Sequence, residues 1–487
     1  MNKFYLTAAI PYVNAKPHIG HALEFVQVDV IKRFKTLSGF ETRLLSGADE
    51  NALKNVQAAE KAGVPIQEFV DENSKLFEDL ARKLNIKFDV WQKGSSEDHY
   101  KASQKLWNLC DKNGDIYKKT YTGLYCVGCE QFYEKHEIDE KGQCFEHPGK
   151  PLEEVSEENY FFKLSKYEKQ IRELIQKDEL LIIPSSRKNE VLGFLKEGLQ
   201  DISISRTNER AKNWGVPVPG DEKQRMYVWF DALNIYQSGI GFYSDSKEYK
   251  KWWPADLHVI GKGIIRFHAV YWPAFLLSAG LPLPKALFVH GYFTVDGQKM
   301  SKSLGNVADP LEFIQKYTAD GLRYYLLRNI SPTGDGDFSE KKLVESYNSD
   351  LANGLGNLIS RVAKLCENAN FRKTKTVENQ RHISNFEEDY KKALEEYRFN
   401  DGLSIIWDKI SRLDKFINDE KPWELLKSSI INHKSSERLK AVLEHSVDQI
   451  QEIGELLRPL LPETAEKILQ QFEVSEIKSS TPLFPRI

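Results

Sequence analysis

Residues 3–51 read in order as strand, loop, helix and strand, and that order leaves few folds open. "KFYLTAAIPYV" (Lys3–Val13) is short, apolar and β-prone, the pattern of a buried strand. After the loop "NAKP", Ile19, Leu23, Val26, Val30 and Phe34 recur at helical spacing and predict a helix with one buried stripe. "ETRLLSGADEN" (Glu41–Asn51) then supplies a second apolar strand with a polar tip at Asp49. Two strands joined through one helix pair in parallel, and such sheets bind their ligands at the carboxyl ends of the strands. His18, His21 and Asp49 all fall at that end.

The 487 residues leave room for two to four domains. From about Gly114 the pattern changes to short, turn-rich segments with clustered Cys and charge, ending near "NWGVPVPG" (Asn213–Gly220). βαβ signals then resume in "RMYVWFDAL" (Arg225–Leu233), "DLHVIGKGIIRF" (Asp256–Phe267) and "ALFVHGYFTV" (Ala286–Val295). Beyond about Ser339 strand signals are few and helical periodicity dominates. The expected architecture is a Rossmann-like α/β domain with a parallel sheet, in two halves at 1–113 and 225–285. An insertion at 114–224 splits it, a connecting region at 286–350 follows, and a helical bundle occupies 351–487.

Net charge is −3, which argues against a protein coated in basic patches and leaves room for one local nucleic-acid site. No window approaches the roughly 18 apolar residues of a membrane span, and the first strand is wrongly flanked for a signal peptide, so cytoplasm is expected. Five cysteines do not make a disulfide framework.

Three constellations carry chemistry. His18-Ile19-Gly20-His21 opens a helix, where unpaired N–H groups and the helix dipole favour an anion and Gly20 allows close approach to the backbone. Taken alone, the same four residues are equally two surface histidines near a turn. "DGQKMSKSLGN" (Asp296–Asn306) holds Lys299, Met300, Ser301, Lys302 and Ser303 in a loop flanked by glycines. A cationic loop of this kind suits a departing pyrophosphate, and by itself it is equally a solvated basic turn. Cys126-Val-Gly-Cys129, fourteen residues, then Cys144-Phe-Glu-His147 make a C-x2-C…C-x2-H set. Three thiolates and an imidazole close the tetrahedral shell of a structural Zn2+ with no position left for catalysis; a redox C-x-x-C would leave Cys144 and His147 unexplained.

In order, and on opposite halves of a split α/β domain, the first two motifs resemble the HIGH and KMSKS signatures of class I aminoacyl-tRNA synthetases. The resemblance implies attack of an amino-acid carboxylate on the α-phosphate of ATP, with Mg2+, and transfer to the 3′ ribose of a tRNA. It makes His18, His21, Lys299 and Lys302 catalytic, and gives ATP His18, Gly20, His21, Gly261, Lys299, Met300, Ser301 and Lys302. Three blocks look like those of methionyl-tRNA synthetases. "AAIPYVN" places Ile10 and Tyr12 beside the substrate, "VWFDALNIY" brings Trp229, Asp231, Ala232 and Tyr236, and "RFHAVYWPA" brings Phe267, His268 and Trp272. Aromatic faces suit a thioether, Tyr12 and His268 could reach its sulfur, and Asp49 is the candidate for the ammonium. The plain alternative for any one of these aromatics is core packing. Where the family reads Gly-Lys-Asp-Ile, this chain has Gly261-Lys262-Gly263-Ile264, so a ribose contact is absent or supplied elsewhere. "SISR", ending in Arg206, also matches the family, where an Arg helps to shape the site.

The same resemblance bears on the helical third. Leu351, Leu355, Leu358, Val362 and Leu365 form one apolar stripe, while Asn353, Asn357 and Arg361 lie four apart on another face. On their own these three are a polar face, and Trp423 is a core plug at a helix start. The family uses this Asn…Arg face and this Trp to recognise the CAU anticodon of tRNA(Met), initiator included. The family's insertion carries a zinc knuckle, and about 110 residues leave no room for the editing domain of the leucine, isoleucine and valine enzymes. Because the chain stops at "STPLFPRI", a monomer is expected. The zinc-using cysteine enzyme and a catalytically silent RNA-binding paralogue are the competing readings.

Overall fold

The computed structural model describes residues 2–126, 131–133, 138–144, 151–299, 308–373, 387–429 and 433–487. At its centre is a six-stranded sheet built from β1 (Lys3–Thr7), β2 (Glu41–Ala48), β3 (Val90–Lys93), β4 (Leu181–Ile183), β5 (Leu257–Gly261) and β6 (Ala286–His290). Their spatial order is β3-β2-β1-β5-β6-β4, and every pairing is parallel. Register runs through Lys3↔Glu41, Leu6↔Leu257 and His258↔Leu287. The chain moves outward from β1 to β3 and later returns to the other side of β1, so the order reverses between β1 and β5. That reversal opens a crevice at the carboxyl ends of these two strands.

Alternation along the strands explains their unbroken apolar composition. Leu6, Leu44, Leu257, Val259 and Phe288 enter one core, which continues through α1 (Ile19–Leu37) into the helical bundle. Tyr5, Leu45, Ile260, Leu287 and Val289 enter a second core shared with the insertion. Both faces are therefore dry, as a fully parallel sheet requires.

The insertion does not stand apart from this sheet. Its own antiparallel sheet orders Gln131–Tyr133, Ile116–Cys126, Glu153–Phe162 and Ile202–Ser203. Yet β4, from within 114–224, pairs Ala286↔Leu181 with β6 and forms the edge of the central sheet. "RMYVWFDAL" also departs from expectation. Only its start is strand (Asp221–Met226), and Val228–Ala232 is helix, buried throughout. A short run that is apolar on every side carries no period, so strand and helix cannot be told apart in it.

The expected boundary at 350/351 falls inside a continuous helix. Glu340–Ser346, a π-helical stretch Tyr347–Gly356 and Asn357–Asn368 follow one another without a break. Leu343, Tyr347, Leu351, Leu355, Leu358 and Val362 are all buried along it, one seam crossing the expected border. The central sheet and the bundle are further tied by Arg323, which is fully buried and whose Nη2 lies 2.8 Å from Asp29 on α1. The same guanidinium donates to the carbonyls of Leu460 (2.9 Å) and Leu84 (3.1 Å).

Candidate active site

The first turn of α1 is built by its two histidines. His18 is the N-cap and its Nδ1 accepts from the Gly20 amide at 3.2 Å, while His21 Nδ1 accepts from the His18 amide at 3.1 Å. Imidazoles thus take both roles of a capping box. The rings stack with centroids 3.8 Å apart. With each Nδ1 an acceptor, the proton of each neutral ring sits on Nε2, leaving two N–H donors aimed away from the helix. Burial holds His18 down at about 4, and burial, with His18 and His290 nearby, holds His21 well below the usual histidine range. The pair therefore works as neutral donors.

This corrects the expectation that backbone amides of the first turn bind the anion. Ile19 N–H donates to the Ala308 carbonyl (3.1 Å), Gly20 N–H to His18, and the His21 and Ala22 amides to the His18 carbonyl (2.9 and 3.3 Å). The first-turn amides are therefore committed within the protein.

Tyr12, Trp229 and Phe267 form an aromatic cluster. Tyr12 and Asp49 form a parallel bridge at the ends of β1 and β2, with the Asp49 amide donating to Pro11 (2.9 Å). Trp229 stacks flat on Phe267 at 3.7 Å and 5°, and Tyr12 meets Trp229 edge-on at 6.1 Å. Ala232 is buried and Ile10 half-buried beside them. Phe267 and His268 sit on a single π-helical turn, Phe267–Tyr271, which continues into the helix Trp272–Ser278. Trp272 is fully buried, edge-on to Trp253 at 6.0 Å, and so packs in the core. Asp231 is locked by Asn51, whose Nδ2 donates to it at 2.6 Å.

Both ring nitrogens of His268 are hydrogen-bonded within the protein. Its Nδ1 must donate to the Ile264 carbonyl at 2.9 Å, and burial keeps it neutral, held down at about 4. Its Nε2 therefore accepts, and takes the hydroxyl proton of Tyr236 at 2.8 Å. Tyr5 adds a 2.6 Å bond from its hydroxyl to the Tyr236 carbonyl. His268 thus orients the Tyr236 hydroxyl.

Two residues that sequence reasoning passed over link the crevice walls. Glu24 accepts from the Ala9 amide (2.8 Å) and meets His290 Nε2 at 2.9 Å, joining β1, α1 and the end of β6. A Cβ on Gly261 would lie 3.3 Å from His290 Cε1, a tight contact at these strand ends. One signal was present: Glu24 lies three residues beyond His21 in an otherwise apolar helix segment.

Lys299 ends a two-residue hairpin whose turn, Asp296-Gly297, has φ of 48° and 74°. Positive φ at both positions is what an Asp-Gly turn of this kind supplies. Asp337 pins it, accepting from the Gly297 amide and the Thr294 hydroxyl, each at 2.7 Å. The Lys299 side chain, Met300, Ser301 and Lys302 lie outside the described residues.

Of the zinc set, Cys126 and Cys144 are described, both buried, with Sγ atoms 3.2 Å apart; Cys129 and His147 lie outside. Two thiolates on one tetrahedral Zn2+ stand about 3.7–3.8 Å apart. Two buried, converging sulfur atoms fit half of such a shell. Cys110 and Cys366 are buried elsewhere, and burial pushes both thiols up to about 12, as inert core thiols require. On the bundle, Asn353, Asn357 and Trp423 are exposed. Arg361 is not open in the same way, since it donates to Asp414 at 2.6 Å and Asn418 at 2.9 Å.

Four neutral imidazoles set a pH dependence. His18 and His268 are held at about 4, and His21 and His258 well below the usual value of 6.5, in each case chiefly by burial. The folded protein resists protonating these rings, whereas the unfolded chain binds protons on them below about pH 6.5. Their contribution is thus fully present above that value and is lost as pH falls from 6.5 toward 4. Urea midpoints measured at pH 7, 6 and 5 should fall steadily, and a flat profile would place these rings in water.

The family model described as "tRNA synthetases class I (M)" matches residues 4–363. The methionine–tRNA ligase of Brucella suis is 41% identical over 479 residues, covering 96% of this chain and 91% of the relative. That of Thermotoga maritima is 40% identical over 485 residues, covering 97% and 76%. Mycobacterium tuberculosis methionyl-tRNA synthetase in complex with methionyl-adenylate superposes with a TM-score of 0.91 at 36% identity, covering 100% of both chains. Its apo form superposes at 0.85 and 34% identity, covering 100% of this chain and 98% of the other. The chain belongs to the methionine–tRNA ligases of class I.

Proposed function

We propose that this protein activates methionine with ATP and charges tRNA(Met), initiator tRNA included, through the residues gathered at the β1/β5 crevice. One observation carries the reading: two neutral histidines with Nε2–H donors stand at that crevice, next to a pocket walled by Tyr12, Trp229 and Phe267. A carboxylate oxygen of methionine attacks the α-phosphorus of ATP, the bond to the β-phosphate oxygen breaks, and pyrophosphate leaves. His18 and His21 donate to phosphate oxygens as charge builds there, and such donors are each worth about 3–4 kcal/mol. Lys299 and Lys302 are assigned to the departing pyrophosphate. Asp49 takes the substrate ammonium, and stacked Trp229 and Phe267 give the thioether an aromatic face, worth about 0.3–1.5 kcal/mol per contact. The tRNA 3′-terminal ribose hydroxyl then attacks the methionyl carbonyl and AMP leaves.

Mg2+, when bound with ATP, would supply charge neutralisation on the triphosphate. Cys126, Cys129, Cys144 and His147 are assigned to one structural Zn2+, which when bound would cross-link the insertion. We assign a monomeric, cytoplasmic protein; among the described residues no helix is long and apolar enough to cross a membrane.

ATP–pyrophosphate exchange with each of the twenty amino acids tests the reading. Exchange dependent on methionine supports it, and exchange with cysteine alone, or with none, refutes it. For the anticodon face, Trp423→Ala should lower kcat/KM for tRNA charging about 5- to 150-fold, the worth of one stacked base. Exchange should stay unchanged, and equal loss of both would make Trp423 structural.

A further inference from the structure

The three residues that follow β2 are each held by a different part of the chain. The Asp49 carbonyl accepts from Asn55 Nδ2 at 2.8 Å. Glu50 Oε2 accepts from the Ser95 amide and hydroxyl at 2.8 and 2.6 Å, and the Glu50 carbonyl takes the Trp214 indole N–H at 2.8 Å. Asn51 is buried, and both hydrogens of its side-chain amide are committed. One goes to the Gly94 carbonyl at 2.8 Å and one to Asp231 Oδ2 at 2.6 Å. Its Oδ1 accepts from the Tyr100 hydroxyl at 3.3 Å. With acceptors on the nitrogen and a donor on the oxygen, the amide has one orientation.

Asp231 is buried on the helix Val228–Ala232, which also carries Trp229. The Asn51–Asp231 bond therefore closes a circuit. Asp49 bridges to Tyr12, Tyr12 meets Trp229 edge-on at 6.1 Å, and Trp229 shares its helix with Asp231. From Asp231 the circuit returns through Asn51 to the chain two residues past Asp49. The ring contact between Tyr12 and Trp229 tolerates sliding, whereas a buried hydrogen bond to a carboxylate is short and directional. That bond is the link able to fix the spacing. We propose that Asn51 is a positioning residue for methionine: through Asp231 it sets the distance between Asp49, which takes the ammonium, and Trp229, which faces the thioether. The inference rests on the reading of Asp49 and Trp229 as the methionine site.

ATP–pyrophosphate exchange, with KM measured separately for methionine and for ATP, tests it in Asn51→Ala, Asp231→Ala and Asp231→Asn. Each alanine variant should raise KM for methionine about tenfold, the worth of a loosened charged hydrogen bond. KM for ATP and kcat should stay near wild type, since a contact made equally in ground and transition states shows in KM. Asp231→Asn keeps an oxygen that accepts from Asn51 and should stay near wild type in all three. If Asn51→Ala does not fold, the two Asp231 variants read the same bond from its other end. Asp231 Oδ1 has no partner among the described residues, so a direct charge on the ammonium is the rival role. That role predicts equal losses in Asp231→Asn and Asp231→Ala, and such a result overturns the proposal. An equal rise in KM for ATP also overturns it, as a general loosening of the fold. Methionine-dependent exchange with KM unmoved in both alanine variants sinks this inference alone, whereas wild type without such exchange sinks the reading of the site as well.

Discussion

His18→Asn is expected to slow methionine-dependent ATP–pyrophosphate exchange by about 10²–10³-fold, the loss typical of one transition-state donor. The fold should barely register the change. His18 caps α1 through Nδ1, which accepts from Gly20, and the proposed reaction assigns its Nε2–H to a phosphate oxygen. Asn is among the best N-caps, and its carbonyl oxygen can take the Gly20 amide while nothing replaces the Nε2 donor. His18→Ala removes both functions and should add a stability loss of about 1 kcal/mol to the same rate loss. Comparing exchange rates and urea midpoints of the two variants separates cap from catalyst. A loss below tenfold in His18→Asn would leave His18 as a cap only.

Arg323→Met is expected to destabilise the protein by about 3–5 kcal/mol, the cost of removing one partner of a buried ion pair. The fully buried guanidinium is the shared partner of Asp29 on α1 and of carbonyls at Leu84 and Leu460. Met is of similar length and apolar, so the loss is charge rather than volume. Asp29 keeps Arg33, whose Nε is 2.7 Å away and partly exposed, but loses its buried counter-ion. Since Arg323 ties α1 to the helical part of the chain at Leu460, charging of tRNA should suffer more than exchange. Urea denaturation and paired exchange and charging assays check this. A loss under 1 kcal/mol would show that Arg33 alone satisfies Asp29.

Local signals were legible where chain neighbours make the interaction. The β1–α1–β2 unit follows from a change of hydrophobic period within 51 residues, and the predicted helix stripe is buried at Ile19, Leu23, Val26, Val30 and Phe34. The Leu351–Leu365 seam was equally plain, because a helix buries what recurs every three or four residues. Reading failed where burial is complete and period vanishes, as in Val228–Ala232, and where pairing is long-range, as in β4 joining β6 from inside the insertion. Histidine roles were half legible. Their place at a helix mouth was visible, but their hydrogen bonds were not, so the free amides expected there proved to be paired and His268 proved to orient Tyr236.

Residue order and type alone thus establish a parallel α/β unit, a histidine pair at its ligand-binding edge, an aromatic set and a cysteine–histidine spacing. Each is a pattern within a few dozen residues, where covalent geometry and hydrophobic period leave little choice. Three-dimensional packing decided which atoms of those residues are available. Glu24 and His290 are 266 positions apart, and only the reversal of strand order at β1/β5 makes them neighbours. Burial, more than the proximity of the two rings within "PHIGH", keeps His18 and His21 neutral and turns them into donors. Protonation and hydrogen bonding depend on everything that approaches in space, and a linear chain does not contain that information in readable form.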